Sequence, residues 1–279
     1  KRGSRPVASE RRRVRTQLEN TTRLIGGLLS PLYKSADPRV HDYLADRAAS
    51  LVPYIGKLEA AALSKRMRSH VRFDPKAADV RKLVFDVRCN FLGHFGKVDE
   101  LPEYFEGMVE SYRSLLERNS EQALGRVLRD RRFDRGLDNA LEEDEPLSQA
   151  TIDRMVDRYR ANVVNWRNDT ISRTEALRVS EAARRVSMEQ AAELGDIPID
   201  LIGKQWMSTL DARTRDTHEG LNGQGRPFEE PFDSSSGAQL MHPGDPQAAA
   251  AEIINCRCTT AYHVFNTEDE VGAFLRENE

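Results

Sequence analysis

The pattern of apolar residues changes once along this 279-residue chain, at Gly195, and that change constrains the fold more than any other feature. Before Gly195, apolar residues recur at helical spacing, as in the stripe formed by Val14, Leu18, Leu24, Ile25 and Leu28. After Gly195, short apolar runs alternate with segments rich in Gly, Pro, Ser and Asp. These patterns predict an α+β protein, in which an extended, mostly α-helical N-terminal region is followed by a small α+β C-terminal domain.

Prolines and capping residues divide the helical region. A helix is predicted from His41 to Leu63, with Pro53 as a break or kink, and Pro75 suits the first turn of the next helix. Leu101-Pro102 starts another, whose predicted buried face consists of Tyr104, Phe105, Met108, Tyr112, Leu115 and Leu116. The acidic segment 141–146 ends in proline and indicates a boundary. The predicted regions are therefore 1–146, 147–195 and 196–279.

The region 147–195 is predicted to be a pair of helices, Ser148 to Trp166 and Ser172 to Leu194. Ser172 and Glu175 have the spacing of a capping box, which would start the second helix. The C-terminal region is predicted to hold strands at 197–209 and 259–265 and a final helix capped by Thr267.

Composition excludes several classes of protein. Net charge is −3, so the chain as a whole is not a polycation, and it contains no run near the ~18 apolar residues that a membrane span needs. Three cysteines do not make a disulfide framework, which fits a reducing cytoplasm. The chain begins with Lys1, as expected of a processed product or of the ordered part of a longer polypeptide.

The first fifteen residues hold seven Lys or Arg residues and a single acid. Such an arm is a candidate for contact with nucleic-acid phosphates or with an acidic protein surface, and a solvated terminus is the alternative. The candidate nucleic-acid-binding residues are Arg11, Arg12, Arg13 and Arg15.

Six short motifs follow one another in the C-terminal part. They are R-T-E at 173–175, K-Q-W at 204–206, D-A-R-T-R-D-T-H at 211–218, L-N-G at 221–223, P-G-D-P at 243–246 and N-C-R-C at 255–258. In this order and spacing, residues 170–265 resemble the Mu F-like phage head morphogenesis family. The residues that carry the resemblance are Arg173, Glu175, Trp206, Asp211, Arg213, Arg215, His218, Gly223, Pro243, Gly244, Asn255, Cys256, Arg257 and Cys258.

The resemblance implies a minor head protein of a tailed bacteriophage, assembled in the host cytoplasm and present in the virion at the capsid interior or portal vertex. The implied partners are the portal protein, the major capsid protein and further copies of the chain, with packaged DNA as another candidate and no membrane. It also implies roles in head morphogenesis and in DNA packaging or ejection. The alternative from the residues is a DNA-binding internal protein that is ejected with the genome.

Two interpretations of the polar C-terminal residues stay open. In the first, Asp211 caps a short helix from Thr209 to Gly220 and pairs with Arg215, four residues further on. Polar contacts then hold this helix in place without a cofactor. In the second, zinc is bound by a set of soft ligands. The candidate ligands are His218, Cys256, Cys258 and His242.

The family that the chain resembles has further possible zinc ligands at positions where this chain has other residues. Many family members carry C-x-x-C where this chain has Arg215 and His218, and a histidine near Ile253. A catalytic zinc would also need a general base, for which Glu252 and Asp216 are the candidates. No phosphate-binding glycine loop and no G-x-S-x-G or H-E-x-x-H motif occurs, so we expect a protein without enzymatic activity.

Overall fold

A computed structural model describes residues 38–95 and 101–278, together with positions 12, 13, 15, 16, 19, 20, 23, 24 and 27. The described residues fall into two compact units. One unit contains those from 101 to 170, and the other contains those up to 95 and from 171 onwards. The borders of these compact units differ from the predicted region boundaries near 146 and 195. Those region boundaries stay a prediction. Among the described residues, no helix combines the length and the apolar composition of a membrane span.

Three helices precede the gap at 96–100: α1 (Pro38–Ala49), α2 (Leu51–Met67) and α3 (Ala78–Phe95). The break predicted at Pro53 falls at Ser50, because a proline in the first turn of α2 removes no intrahelical hydrogen bond. The prediction for Pro75 is wrong. The carboxylate of Asp74 accepts a hydrogen bond from the backbone N–H of Lys76 at 2.8 Å and holds a turn, so α3 begins only at Ala78.

The unit of residues 101–170 consists of α4 (Glu103–Glu117), two 3₁₀ turns (Glu121–Ala123 and Arg131–Phe133), α5 (Asp134–Glu142) and the first part of α6 (Gln149–Glu193). The rings of Tyr112 and Tyr159 stack at its centre, 4.3 Å apart. Tyr104 is predicted to be buried but is 73% exposed, because it lies on the solvent side of α4, where its ring meets Phe105 at a centroid distance of 5.3 Å.

The two helices predicted between Ser148 and Leu194 are a single helix, α6, of 45 residues. The capping box at Ser172 and Glu175 is therefore wrong: both side chains lie inside the helix and are buried. The pattern misled because an S-x-x-E sequence is compatible with a helix interior. Residues 167–171 contain neither Gly nor Pro, so nothing in the sequence stops the helix there.

The C-terminal part is built on a three-stranded antiparallel sheet in the order β2 (Gly225–Pro227), β1 (Ile202–Met207) and β5 (Thr259–Val264). The two predicted strands, β1 and β5, pair along their full length from Ile202 opposite Val264 to Met207 opposite Thr259. A second sheet pairs β3 (Phe232–Asp233) with β4 (Gln239–Leu240). Short helices α7 (Asp216–Glu219) and α8 (Ala250–Ile253) flank these strands, so the α+β prediction is confirmed.

The final helix, α9, spans Glu268–Glu277. The predicted cap is confirmed, since the Thr267 hydroxyl accepts a hydrogen bond from the backbone N–H of Glu270 at 3.3 Å. The Glu270 carboxylate in turn accepts a hydrogen bond from the backbone N–H of Asn266 at 2.9 Å. Two donors at the helix start are satisfied in this way.

Candidate metal centre

The two neighbouring cysteines point the same way because of the turn that precedes them. Asn255 has a left-handed backbone with φ of +56°, a conformation that asparagine tolerates better than most residues. Its N–H donates to the Thr174 hydroxyl at 3.1 Å, which ties the turn to α6. Cys256 and Cys258 follow with both thiols buried, as i and i+2 positions of an extended segment require.

His218 is brought to these thiols by α7. Its Nδ1 atom lies 3.5 Å from Cys256 Sγ and 3.5 Å from Cys258 Sγ. The three ligand atoms lie within 4.8 Å of one another, and all three side chains are buried. The structure therefore brings together three of the four residues that the sequence analysis named as candidate zinc ligands.

The other ring nitrogen of His218 faces a carboxylate. His218 Nε2 lies 2.7 Å from Glu252 Oε2 on α8. Burial raises the pKa of Glu252, but hydrogen bonds donated by Ser236 and His218 lower it by more. An ionised Glu252 accepts the proton on Nε2, which fixes the tautomer of the ring and leaves the Nδ1 lone pair directed at the thiols.

The two thiols act as a pair. The hydrogen bond from Cys256 to Cys258 lowers the pKa of Cys258 and raises that of Cys256. The Ser208 hydroxyl, whose Oγ lies 3.7 Å from Cys258 Sγ, further lowers the pKa of Cys258. The thiolate is the form of cysteine that binds a soft metal ion, so a lowered pKa at Cys258 suits it to that role.

Apolar side chains surround the cluster. The Trp206 ring packs edge-on against His218, with centroids 5.2 Å apart and an interplanar angle of 72°. Phe232 packs against the same indole at 5.3 Å. Leu177, Leu221 and Leu240 complete a buried group that includes both cysteines. The cluster lies in surroundings of low polarity, where unpaired charges are costly.

His242 does not join the cluster, contrary to the sequence-based suggestion of a fourth ligand. Its Nδ1 lies 3.0 Å from the carbonyl oxygen of Pro243, and burial lowers its pKa, so the ring is neutral. The P-G-D-P motif fixes it there. Gly244 adopts φ of +75°, and the Asp245 carboxylate accepts hydrogen bonds from the backbone N–H groups of Met241 at 2.8 Å and Gln247 at 3.0 Å.

The predicted cap at Asp211 is also wrong. Helix α7 begins at Asp216, and the carboxylate of Asp211 pairs with Arg257, between the two cysteines, instead of Arg215. Asp211 also accepts a hydrogen bond from the backbone N–H of Arg213 at 2.9 Å and forms a loose ion pair with its side chain. The Arg257 hydrogen bond lowers the pKa of Asp211. This pair anchors the Cys-Arg-Cys segment from its exposed side.

The remaining motif residues have structural contacts. Arg215 donates to the carbonyl of Ile254, just before the Asn255 turn. Gly223 has φ of +92°, which few residues but glycine adopt, and its N–H donates to the carbonyl of Trp206 at 2.9 Å. Glu175 forms an ion pair with Arg178 at 2.9 Å, and its neighbour Arg173 lies in the same stretch of α6.

Only part of the basic arm can be described. Arg11 lies outside the described residues, and Arg12 is exposed. Arg13 forms an ion pair with the buried Glu59 at 3.1 Å, and Arg15 forms one with Glu19 at 3.2 Å. The positive charges of Arg13 and Arg15 are therefore partly neutralised by carboxylates of the same chain.

Comparison with known proteins gives a match over the region that contains the six motifs. Residues 138–261 match the family model described as Phage Mu protein F like protein. This region is Mu F-like. The match begins in α5, includes all of α6 and ends in β5, so the Mu F-like region contains every residue of the cluster, strands β1 to β4 and the first half of β5.

Two curated relatives align with part of the chain. The NAD(+)–arginine ADP-ribosyltransferase EFV of Enterococcus faecalis is 33% identical over 114 residues, which are 36% of this chain and 21% of that protein. The minor head protein GP7 of Bacillus phage SPP1 is 37% identical over 91 residues, which are 33% of this chain and 28% of that protein. The chain thus spans less than a third of the length of either relative. No solved structure matches it.

Proposed function

We propose that this chain is a minor head protein of a tailed bacteriophage, a structural component of the virion that acts in head morphogenesis. The observation that carries the proposal is the Mu F-like region, together with its similarity to a protein named as a minor head protein. The proposed location is the capsid interior or the portal vertex. The proposed partners are the portal protein, the major capsid protein and other copies of the chain.

The helices outside the Mu F-like region support an interaction role. Tyr43, Tyr54 and Phe85 are 62%, 58% and 61% exposed on α1, α2 and α3. Exposed aromatic side chains are enriched at the centres of protein–protein interfaces. In this proposal they contact the portal or the capsid shell.

Co-sedimentation tests the proposal. Tagged chain is mixed with assembled portal rings, and separately with procapsids, of the phage that encodes it. We expect the chain to sediment with one of them, and Phe85→Ala with Tyr54→Ala to weaken the association. Val127→Ala is the matched control, because Val127 is also exposed, at 89%, but lies outside the three helices. Absence of binding to both assemblies would overturn the proposal.

The similarity to an ADP-ribosyltransferase does not lead us to propose an enzyme. The aligned residues make up 21% of that protein, so its printed activity does not transfer to this chain. We propose a role without turnover. Incubation of the chain with NAD⁺ and arginine-bearing acceptor proteins is expected to leave the NAD⁺ intact, and its consumption would contradict this proposal.

DNA contact by the basic arm, with ejection alongside the genome, is the second candidate function. The observation in its favour is the excess of seven basic residues over one acid in the first fifteen. Removal of residues 1–15 should then abolish a DNA affinity that falls steeply with salt. The ion pairs of Arg13 and Arg15 leave fewer free charges for phosphate, so the structural role is favoured.

A further inference from the structure

We propose that His218, Cys256 and Cys258 bind one zinc ion, with Glu252 as the outer partner that orients the histidine. The inference is independent of the proposed function, because it concerns the free chain. The proposed site also differs from the one that the sequence suggests, because it leaves out His242 and adds Glu252 as the residue that orients His218.

The two nitrogen–sulfur distances fit a tetrahedral ion. Zinc binds thiolate sulfur at about 2.3 Å and imidazole nitrogen at about 2.0 to 2.1 Å, so two such ligands on a tetrahedron lie about 3.6 Å apart. His218 Nδ1 lies 3.5 Å from each of the two Sγ atoms. Both nitrogen–sulfur edges therefore already have the length that a bound zinc ion would impose.

Hydrogen bonding alone accounts less well for this arrangement. A neutral imidazole with its proton on Nε2 has one lone pair, on Nδ1, and that lone pair accepts one good hydrogen bond. Here two thiols approach the same nitrogen at the same distance. A metal ion placed between the three atoms satisfies both sulfurs and the nitrogen at once.

The contact between His218 and Glu252 is the second observation that points to a metal. Histidine ligands of metals donate their other ring N–H to a carboxylate or a carbonyl, which fixes the tautomer and raises the basicity of the ligating nitrogen. Glu252 Oε2, 2.7 Å from Nε2, occupies that position. It is buried, and its neighbour in the structure, Thr217, places a hydroxyl 3.5 Å from the same oxygen.

Charge also favours zinc. Two thiolates and a neutral imidazole bring a total charge of −2, which one Zn²⁺ ion neutralises in apolar surroundings. Thiolate and imidazole ligands together select zinc over the hard ions Mg²⁺ and Ca²⁺, which prefer oxygen. Three protein ligands leave one tetrahedral position, which a water molecule would fill. The ion would link α7 to the Cys-Arg-Cys segment.

Metal analysis of the reduced full-length chain is the first test. After expression with added zinc and dialysis, we expect close to one zinc per chain by mass spectrometry of the elements. Cys256→Ser, Cys258→Ser and His218→Asn should each lose most of it. Cys89→Ser is the matched control, because Cys89 is an exposed thiol on α3 away from the cluster, and it should keep the full zinc content.

A second test does not depend on variants that fold. Stripped wild-type chain is titrated with Co²⁺, which reports thiolate ligation by charge-transfer absorption and tetrahedral geometry by intense visible bands. In a Trp166→Phe background, Trp206 beside His218 is the only indole left, so its emission should change at the same stoichiometry. If the folded wild-type chain showed neither the cobalt spectrum nor bound zinc, the proposal would be overturned. The two thiols would then be explained by hydrogen bonding alone.

The part assigned to Glu252 has its own readout. Glu252→Ala should weaken zinc binding by about 10- to 100-fold in a chelator competition. Glu252→Gln keeps an oxygen that can accept the Nε2 proton, so it should weaken binding less. Equal affinity in wild type and Glu252→Ala would refute the orienting role of Glu252.

Discussion

The two parts of helix α6 bury different kinds of side chain. Within residues 149–170, the buried side chains are apolar and lie on one face: Ile152, Met155, Val156, Tyr159 and Val163. Within residues 171–193, the helix is buried on most sides, and eight of its buried residues are polar or charged: Ser172, Thr174, Glu175, Ser180, Glu181, Arg184, Ser187 and Gln190. The first part, residues 149–170, is stabilised by burial of apolar surface. The second part, residues 171–193, depends on particular hydrogen-bond and ion-pair partners, and we call it the polar part.

Arg184 shows what the polar part requires. Its side chain is fully buried and lies 3.0 Å from Glu181 and 3.5 Å from Glu59. It also donates to the Thr259 hydroxyl at 3.1 Å and packs over the Tyr262 ring. Glu181 in turn accepts a hydrogen bond from the backbone N–H of Thr260 at 3.1 Å. This network joins α6 to α2 and to β5, the strand that follows the two cysteines.

The largest effect is expected from Arg184→Ala. Loss of the cation leaves Glu59 and Glu181 buried without their main partner, so the free energy of unfolding should fall by about 3 to 5 kcal/mol. Urea unfolding followed by circular dichroism measures it. Arg158→Ala is the control, since Arg158 is 56% exposed and forms only a loose ion pair. Equal losses in both variants would contradict a special dependence on buried charge.

Arg173→Pro tests whether the two parts form one helix. In a continuous α6, proline at 173 removes a backbone hydrogen bond and clashes with the preceding turn, at a cost of about 3 kcal/mol. If Ser172 instead capped a separate helix, proline would stand in the first turn and be tolerated. Gln149→Pro, at the true start of α6, is the matched control and should cost little. A similarly mild effect at 173 would restore the two-helix interpretation.

The apolar part is expected to respond more gently. Val163 is fully buried, and Val163→Ala removes the equivalent of two methylene groups and leaves a small cavity, which together cost about 2 kcal/mol. Hydrogen exchange of residues 101–170 measures the local effect. Val127→Ala, at an exposed position, should leave exchange unchanged. If Val163→Ala destabilised as much as Arg184→Ala, the contrast between the two parts would disappear.

The same contrast explains which features the sequence could predict. Strands β1 and β5 and the Thr267 cap depend on local pattern, and local pattern placed them correctly. Residue type and the family pattern name His218, Cys256 and Cys258 as candidate zinc ligands, and the structure places these three side chains together. The S-x-x-E pattern at Ser172 predicts a helix start, but no helix-breaking residue lies beside it, so α6 continues through that position.

Long-range pairing was the part that sequence could not supply. The sequence indicates Glu252 only as a candidate general base. Its contact with His218 Nε2 depends on how α8 packs beside α7, which local pattern does not predict. Asp211 was assigned to Arg215 by spacing, yet its partner is Arg257, 46 positions away. His242 was plausible by residue type alone and was removed by the turn at Gly244.

The smallest expected effect concerns pH and Glu59. Burial raises the pKa of Glu59, but Arg184 and Arg13 lower it by more, so the folded pKa lies below that of the unfolded chain. The unfolded state then binds more protons in the acid range, so this carboxylate stabilises the fold above its unfolded pKa, about 4.3. That contribution is lost as the pH falls through the folded pKa.

Glu59→Gln should therefore flatten the acid side of the stability–pH curve, even though the variant is less stable at neutral pH because Arg184 loses a partner. Unfolding free energies between pH 6 and the acid transition, compared with wild type, give the slope directly. Glu142→Gln, at an exposed position of α5, is the control and should leave the slope as it is. An unchanged slope in Glu59→Gln would mean that the charges around Arg184 do not govern acid stability. The polar part of α6 would then be held chiefly by its neutral hydrogen bonds, such as the one from Ser187 to the carbonyl of Gly56 at 3.2 Å.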